Sequence, residues 1–165
     1  MRLILVRHAH RDTTNRFEDN GLSEKGREQA KGLVSVFKNK VNKDSEILLL
    51  SSPKMRCIET LTPFSRSMGL KITIDPSLDE AKPLESPAKF EKRVMSFLDF
   101  TEKLAEELGK KTKSKDLCIF ACSHGDWLPL ALQKLIGFSI DLKKAGCAEI
   151  QDGRLLTLLQ PSDYI

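Results

Sequence analysis

The chain has 165 residues, of which 30% are charged and 40% hydrophobic, and it carries a formal net charge of +4. That length suits one compact domain over residues 1–165, with a core large enough to need no disulfide or metal staple. The charge favours approach of an anionic substrate but is too small and too scattered to indicate nucleic acid, because no Arg/Lys cluster is interleaved with aromatic residues.

In chain order, Arg2–Val6 is a short apolar run that reads as a fully buried strand, and the polar stretch from Arg7 to Gly21 reads as a loop. Its apolar core of four residues is too short for a signal peptide, and no span in the chain approaches membrane length. Ser23 is a plausible N-cap for a helix to about Lys40, with Ala30, Leu33, Val34 and Phe37 at helical spacing. Ile47–Leu50 reads as a second buried strand, and Pro53 suits the first turn of a helix to about Met68, closed by Gly69. Leu70–Ile74 alternates like a strand.

A connection from Asp75 to Pro87 leads into an amphipathic helix with Phe90, Val94, Phe97, Leu98, Thr101, Leu104, Ala105 and Leu108 on one face. Lys110–Lys115 reads as its solvated end and the following loop. Leu117–Cys122 is another buried strand and Asp126–Gly137 another helix. Cys147–Gln151 and Arg154–Leu159, split by Asp152 and Gly153, read as a terminal hairpin. Cys57, Cys118, Cys122 and Cys147 lack the C-x-x-C spacing of zinc or redox sites, so reduced thiols and a cytoplasmic location are expected, with no membrane partner. The expected fold is α/β: a three-layer sandwich with a mostly parallel sheet, helices on both faces and an antiparallel edge hairpin.

Ligands of open α/β sheets bind beyond the carboxyl ends of the strands. Arg7 and His8 follow the first strand. Ser51 and Ser52 follow the second, with Arg56 a turn into the next helix. Asp79 and Glu80 follow the third, and Ser123, His124 and Gly125 follow the fourth. Two imidazoles, two guanidiniums and a carboxylate on one rim suit phosphoryl transfer. Guanidinium forks match phosphoryl oxygens, a neutral imidazole can attack phosphorus, and a carboxylic acid can protonate the leaving atom.

Several segments resemble one family. Leu5-Val6-Arg7-His8-Ala9 is similar to the Arg-His-Gly signature of the histidine phosphatase superfamily, also called phosphoglycerate mutase-like. Leu22-Ser23-x-x-Gly26-x-x-Gln29-Ala30-x-x-Leu33, Ser51-Ser52-Pro53-x-x-Arg56-x-x-x-Thr60 and Ser123-His124-Gly125 resemble its later motifs, in the family's order. The resemblance implies that Arg7 and Arg56 clamp the phosphoryl group, that His8 is the nucleophile and that His124 holds the transferring oxygens. It makes Glu80 the nearest fit for the general acid, with Asp79 and Glu85 as rivals. His10, Arg11, Ser52 and Gly125 are expected to border the substrate. Two departures stand out. Ala9 replaces the usual glycine, which is tolerable if its backbone is not left-handed. Only about a dozen residues follow Ile74 before the long helix, where the family's mutases carry a large insertion. That compactness resembles the small bacterial phosphohistidine phosphatases.

The expected activity is metal-independent, cofactor-free hydrolysis of a phosphomonoester or protein phosphohistidine through phospho-His8. The partner is then a phosphorylated small molecule or a phosphohistidine-containing protein. Two rivals remain: a non-catalytic phospho-ligand binding module, and a metal-dependent hydrolase built on His8, His10 and Asp12. Trp127 is expected in the core, and Asp126 beside the pocket.

Overall fold

A computed structural model of the chain describes residues 1–15, 17–111 and 116–165. The expected solvated loop at Lys110–Lys115 lies, from residue 112 onward, outside the described residues. The elements are β1 (Arg2–Arg7), α1 (Glu24–Lys38), β2 (Glu46–Ser51), α2 (Met55–Met68), β3 (Ile72–Ile74), α3 (Pro87–Lys111), β4 (Leu117–Ser123), α4 (Trp127–Ile136), β5 (Cys147–Gln151) and β6 (Arg154–Leu159). The strands form one sheet in the order β3-β2-β4-β1-β5-β6. β3, β2, β4 and β1 run parallel, while β5 and β6 add the antiparallel edge.

Side chains of a strand alternate between the two faces of the sheet, and both faces here are apolar. Leu3 and Leu5 of β1 join Ile119 and Ala121 of β4 in a cluster with Val94, Phe97 and Trp127, roofed by α3 and α4. Ile4 and Val6 join Cys118, Phe120 and Cys122 in the opposite cluster with Leu33, Phe37, Leu61 and Phe64, roofed by α1 and α2. Phe37, Phe64 and Phe120 pack ring against ring at 4.8 to 5.3 Å between centroids. All four cysteines are buried free thiols. No helix among the described residues is long and apolar enough to cross a membrane.

Two elements start two residues later than expected, for local reasons. α2 starts at Met55 rather than at Pro53, because the Met55 N–H donates to the distant carboxylate of Asp19 (2.6 Å) and no local side chain caps the helix. Pro63 sits inside α2 without ending it. β3 is shorter than expected because the Leu70 N–H closes the end of α2 on the Ser65 carbonyl, and the Ser65 hydroxyl donates back to Leu70.

Candidate functional site

The strand order brings the carboxyl ends of β2, β4 and β1 side by side, with Arg7 in register with Ser123 and Ser51 with Cys122. Each next residue therefore leaves the sheet at the same rim. His8 donates its backbone N–H to Ser123 and Ser52 donates its own to Cys122. The rings of His8 and His124 stand 5.3 Å apart. Among the residues expected at the site, Arg7, His8, Ser52, Arg56, Glu80, His124 and Gly125 gather there.

His8 is buried, and its Nδ1 lies 2.8 Å from the Ala9 carbonyl oxygen, which can only accept. Nδ1 therefore carries the proton and Nε2 keeps its lone pair. Burial, and then the charges of Arg56, Arg7 and Lys144, lower the His8 pKa to about 4 against the raising effect of the Ala9 bond. The imidazole is neutral at pH 7. Ala9 is not left-handed, since Ala145 and Asp152 are the non-glycine residues of positive φ among those described. Its N–H donates to Thr60 Oγ1 (2.8 Å), which in turn donates to the Arg56 carbonyl (2.6 Å). The strand end carrying His8 is thus tied to the helix carrying Arg56.

His124 is neutral for the same reason. Burial, followed by Arg56 and His8, takes its pKa down to about 2, so its approaches to Asp79 (3.8 Å) and Glu80 (3.7 Å) are not ion pairs. Arg56 Nη2 donates to His124 Nδ1 (3.1 Å), which leaves Nε2–H to donate to Ser52 Oγ (2.8 Å). The Ser52 hydroxyl donates onward to Asp79 (3.3 Å). This chain fixes the ring's tautomer and tilt.

The two guanidiniums are held differently. Arg7 Nη1 donates to the Leu142 carbonyl (2.6 Å). A Cβ added at Gly125 would stand 2.6 Å from Arg7 Nη2, so the glycine after His124 makes room for the arginine before His8. Arg56 Nη2 pairs with Glu80 (2.7 Å), and Asp19 lies 3.6 Å from its Nη1. The Nε–H groups of Arg7 and Arg56 are buried and have no partner in the protein. Two buried orphan donors are costly, and anionic oxygens are the partners that match them.

The three candidate acids separate clearly. Glu85 is bound by Arg93 through two contacts (2.6 and 2.9 Å), and its pKa falls to about 2, chiefly through that bond. Asp79 is buried and accepts from Ser52 and from the Glu80 N–H. Glu80 is partly exposed, reaches Arg56 and lies 3.8 Å from Lys54.

Three expectations meet a different arrangement. His10 turns away from His8: its Nδ1 is paired with Ser23 Oγ (2.8 Å) and its N–H donates to Gln29 (2.9 Å). A Cβ added at Gly26 would stand 2.0 Å from the His10 carbonyl, so α1 is pressed onto this backbone. Arg11 pairs with Leu22 in an isolated bridge. Asp12 bonds Thr14, so His8, His10 and Asp12 diverge, and no group of three or more His, Cys, Asp or Glu suited to a metal ion forms among the described residues. Trp127 is fully buried against Phe97, and Asp126 accepts from the Ala81 N–H (2.7 Å), tying down the segment that bears Glu80.

Sequence reasoning missed Arg93. Its guanidinium donates to the carbonyls of Ser77 (3.0 Å), Asp79 (2.6 Å) and Glu80 (3.1 Å) as well as to Glu85. The available signal was a charge beside the apolar stripe of its helix, three residues after Phe90, over whose ring it lies (5.0 Å).

No curated protein sequence matches the chain. Among solved structures, the phosphoserine phosphatase of Entamoeba histolytica bound to phosphoserine is 16% identical, with a TM-score of 0.69 over 99% of both chains. The mycobacterial glucosyl-3-phosphoglycerate phosphatase with inorganic phosphate is 16% identical, with a TM-score of 0.69 over 97% of this chain and 98% of that one. These likenesses establish the fold. In sequence, residues 3–83, the stretch from β1 through the Glu80 segment, match the family model of the histidine phosphatase superfamily, branch 1. Residues 3–83 of the 165 thus resemble the histidine phosphatase superfamily, branch 1, and the fold of the chain is that of the two phosphatases above.

Proposed function

We propose that the protein hydrolyses a phosphomonoester or a protein phosphohistidine, without a metal, through a phosphohistidine formed on His8. The observation that carries this reading is a neutral His8 with Nε2 unprotonated, lowered in pKa by burial, set beside His124 and beside two guanidiniums that each retain a buried, unpaired Nε–H.

In the first step Nε2 attacks phosphorus and the bond to the leaving oxygen or nitrogen breaks. Arg7 and Arg56 stabilise the transferring oxygens, His124 joins them as its Nε2–H exchanges Ser52 for a phosphoryl oxygen, and Glu80, released from Arg56 and protonated from solvent, gives that proton to the leaving atom. Phosphoryl oxygens compete with Glu80 for Arg56, so binding frees that carboxyl beside the leaving group. In the second step Glu80, now a carboxylate, takes a proton from water, whose oxygen attacks phosphorus. Phosphate leaves and His8 is restored. The four buried free thiols support a reducing, cytoplasmic setting.

The test is turnover of an aryl phosphate in EDTA, inhibition by vanadate, and trapping of an acid-labile, alkali-stable phosphoenzyme. His8→Ala should abolish the label, and a label that persists rejects His8 as nucleophile. Activity that is lost to chelator and restored by a divalent ion rejects the metal-free mechanism.

One observation favours a second reading. Glu80 is engaged as an acceptor by Arg56, which suits a phospho-ligand binding module that lacks an effective acid. Tight binding of phosphate with no turnover across phosphoesters and a phosphohistidine protein would select that reading.

A further inference from the structure

The loop before β5 is joined to the site more closely than its sequence distance implies. Leu142 accepts from Arg7, the Ala145 N–H lies 3.1 Å from the Arg7 carbonyl and 3.2 Å from that of His8, and Arg7 donates its N–H to Gly146. On the other side, the Lys143 N–H donates to the Gln160 side chain (2.9 Å) and the Tyr164 hydroxyl to the Ala145 carbonyl (2.5 Å). Ala145 is held at φ +66°, a left-handed conformation that a non-glycine residue keeps only when its surroundings impose it. This bracing fixes the backbone of two lysines, Lys143 and Lys144, against the strand end that carries His8.

Those lysines line a cavity of about 760 Å³ together with Lys25 in the first turn of α1, His10, and the apolar Pro161 and Ile165. Glu28 also lines it, but its carboxylate is engaged by Lys31 (2.7 Å). Among the described residues no carboxylate pairs with Lys25, Lys143 or Lys144. Lys144 connects the two regions. Burial, then the charges of Arg7, Arg11, Arg56 and Lys25, lower its pKa, so it feels the cations of both the catalytic rim and the cavity. A row of like charges on a braced wall is repulsive until an anion enters, and the α1 amino end adds a favourable dipole.

We propose that this cavity is a second anion subsite, which takes a carboxylate or phosphate group carried by the substrate apart from the phosphoryl group that is transferred. The inference rests on the hydrolase reading above and narrows it to phosphorylated compounds with a second anionic group. Its supports are the three unpaired lysines, the apolar wall that a linker can cross, and the shared loop.

The experiment uses the full chain and aryl phosphates bearing a carboxylate on alkyl tethers of graded length, each matched with its neutral amide. Non-hydrolysable phosphonates of the same series are titrated calorimetrically. For at least one tether, kcat/KM should be ten-fold or more higher for the acid than for the amide, and the phosphonates should show the same preference in Kd. Lys25→Ala combined with Lys143→Ala, at two exposed positions, should bring the acid-to-amide ratio close to one, and Lys25→Glu should take it below one. Phosphopeptides with Glu or Gln near the phosphorylated residue form a further arm. A Glu preference there that is erased by the same variants places the second anion on a protein substrate and also supports the subsite. A ratio near one in every arm, or a preference that survives the lysine variants, overturns the proposal. Binding preference without turnover of any substrate keeps the subsite and rejects the hydrolase.

Discussion

The two sides of the site are built by different means. On one side Arg7, His8, Ser52 and His124 leave adjacent strands in register, with His8, Ser52 and His124 buried and Arg7 half-buried, and are held by backbone bonds. On the other side Glu80 and Asp79 sit on an irregular segment whose carbonyls are gathered by one side chain, Arg93, and whose Ala81 N–H is anchored by Asp126. Strand register costs no side-chain entropy, and it cannot shift by one residue without turning every core residue to the wrong face. A single guanidinium clamp is local and can be changed alone. The fold thus fixes the phosphoryl-binding side and leaves the leaving-group side open to adjustment.

The largest effect is expected where that rigid side is crowded by one methyl group. Gly125→Ala places a Cβ on the Arg7 guanidinium, and the neighbour that must yield is the proposed phosphoryl clamp. We expect kcat/KM for an aryl phosphate to fall by about 100-fold, in line with the loss of an oriented charge-assisted donor pair. Arg7→Lys should cost about as much, because an ammonium cannot form the fork. The two effects should not add in the double variant, since both act through one group. Full additivity would separate Gly125 from Arg7.

The adjustable side gives the next effect. Arg93→Ala removes the donor shared by the Ser77, Asp79 and Glu80 carbonyls and leaves Glu85 without its cation. As Arg93 is a positioning residue for the proposed acid, its loss should depend on the leaving group. An alkyl phosphate, whose leaving oxygen needs a proton, should lose about 10-fold in kcat, and a nitrophenyl phosphate should lose little. Equal losses on both would reduce Arg93 to a structural role.

The same contrast explains what was legible in the sequence. The strand ends were legible, because buried strands are continuous apolar runs and the first polar residue after each marks the rim. That logic found His8, Ser52 and His124. Arg7 and Arg56 were legible through their spacing from those ends. Arg93, Asp19 and Lys144 were not. Each acts through contacts made far along the chain, to carbonyls, to a helix amino end and to a cavity wall, and none has a local pattern that distinguishes it from a surface charge. The orientation of His10 away from His8 was not legible for a related reason, since its partner Ser23 stands 13 residues away.

Acidification tests the rigid side by itself. His8 and His124 are neutral when folded, with pKa values near 4 and 2, and an unfolded histidine titrates near 6.5. Below pH 6.5 the unfolded chain therefore binds more protons, and stability falls with falling pH, for His8 down to about pH 4 and for His124 further. At pH 5 each ring should have cost about 2 kcal/mol relative to pH 7. In urea melts, His124→Gln should remove about half of that histidine-dependent loss. A pH 5 to 7 profile that is unchanged by the substitution would mean that His124 is not held neutral.

The smallest effect is expected at Ala9, where the chain departs from the Arg-His-Gly signature it resembles. The residue is buried, its φ is negative, and its N–H and carbonyl make the contacts that matter, to Thr60 and to the His8 ring. Ala9→Gly preserves both contacts. It removes one buried methyl, worth about 0.8 kcal/mol, and adds backbone freedom to the unfolded chain, worth about 0.5–1 kcal/mol. A loss of 1–2 kcal/mol in thermal or urea unfolding, with kcat/KM changed less than three-fold, is the expected pair of results. An activity change of ten-fold or more in either direction would mean that the methyl itself bears on the His8 ring, and that strand register and backbone bonds alone do not set the nucleophile's position.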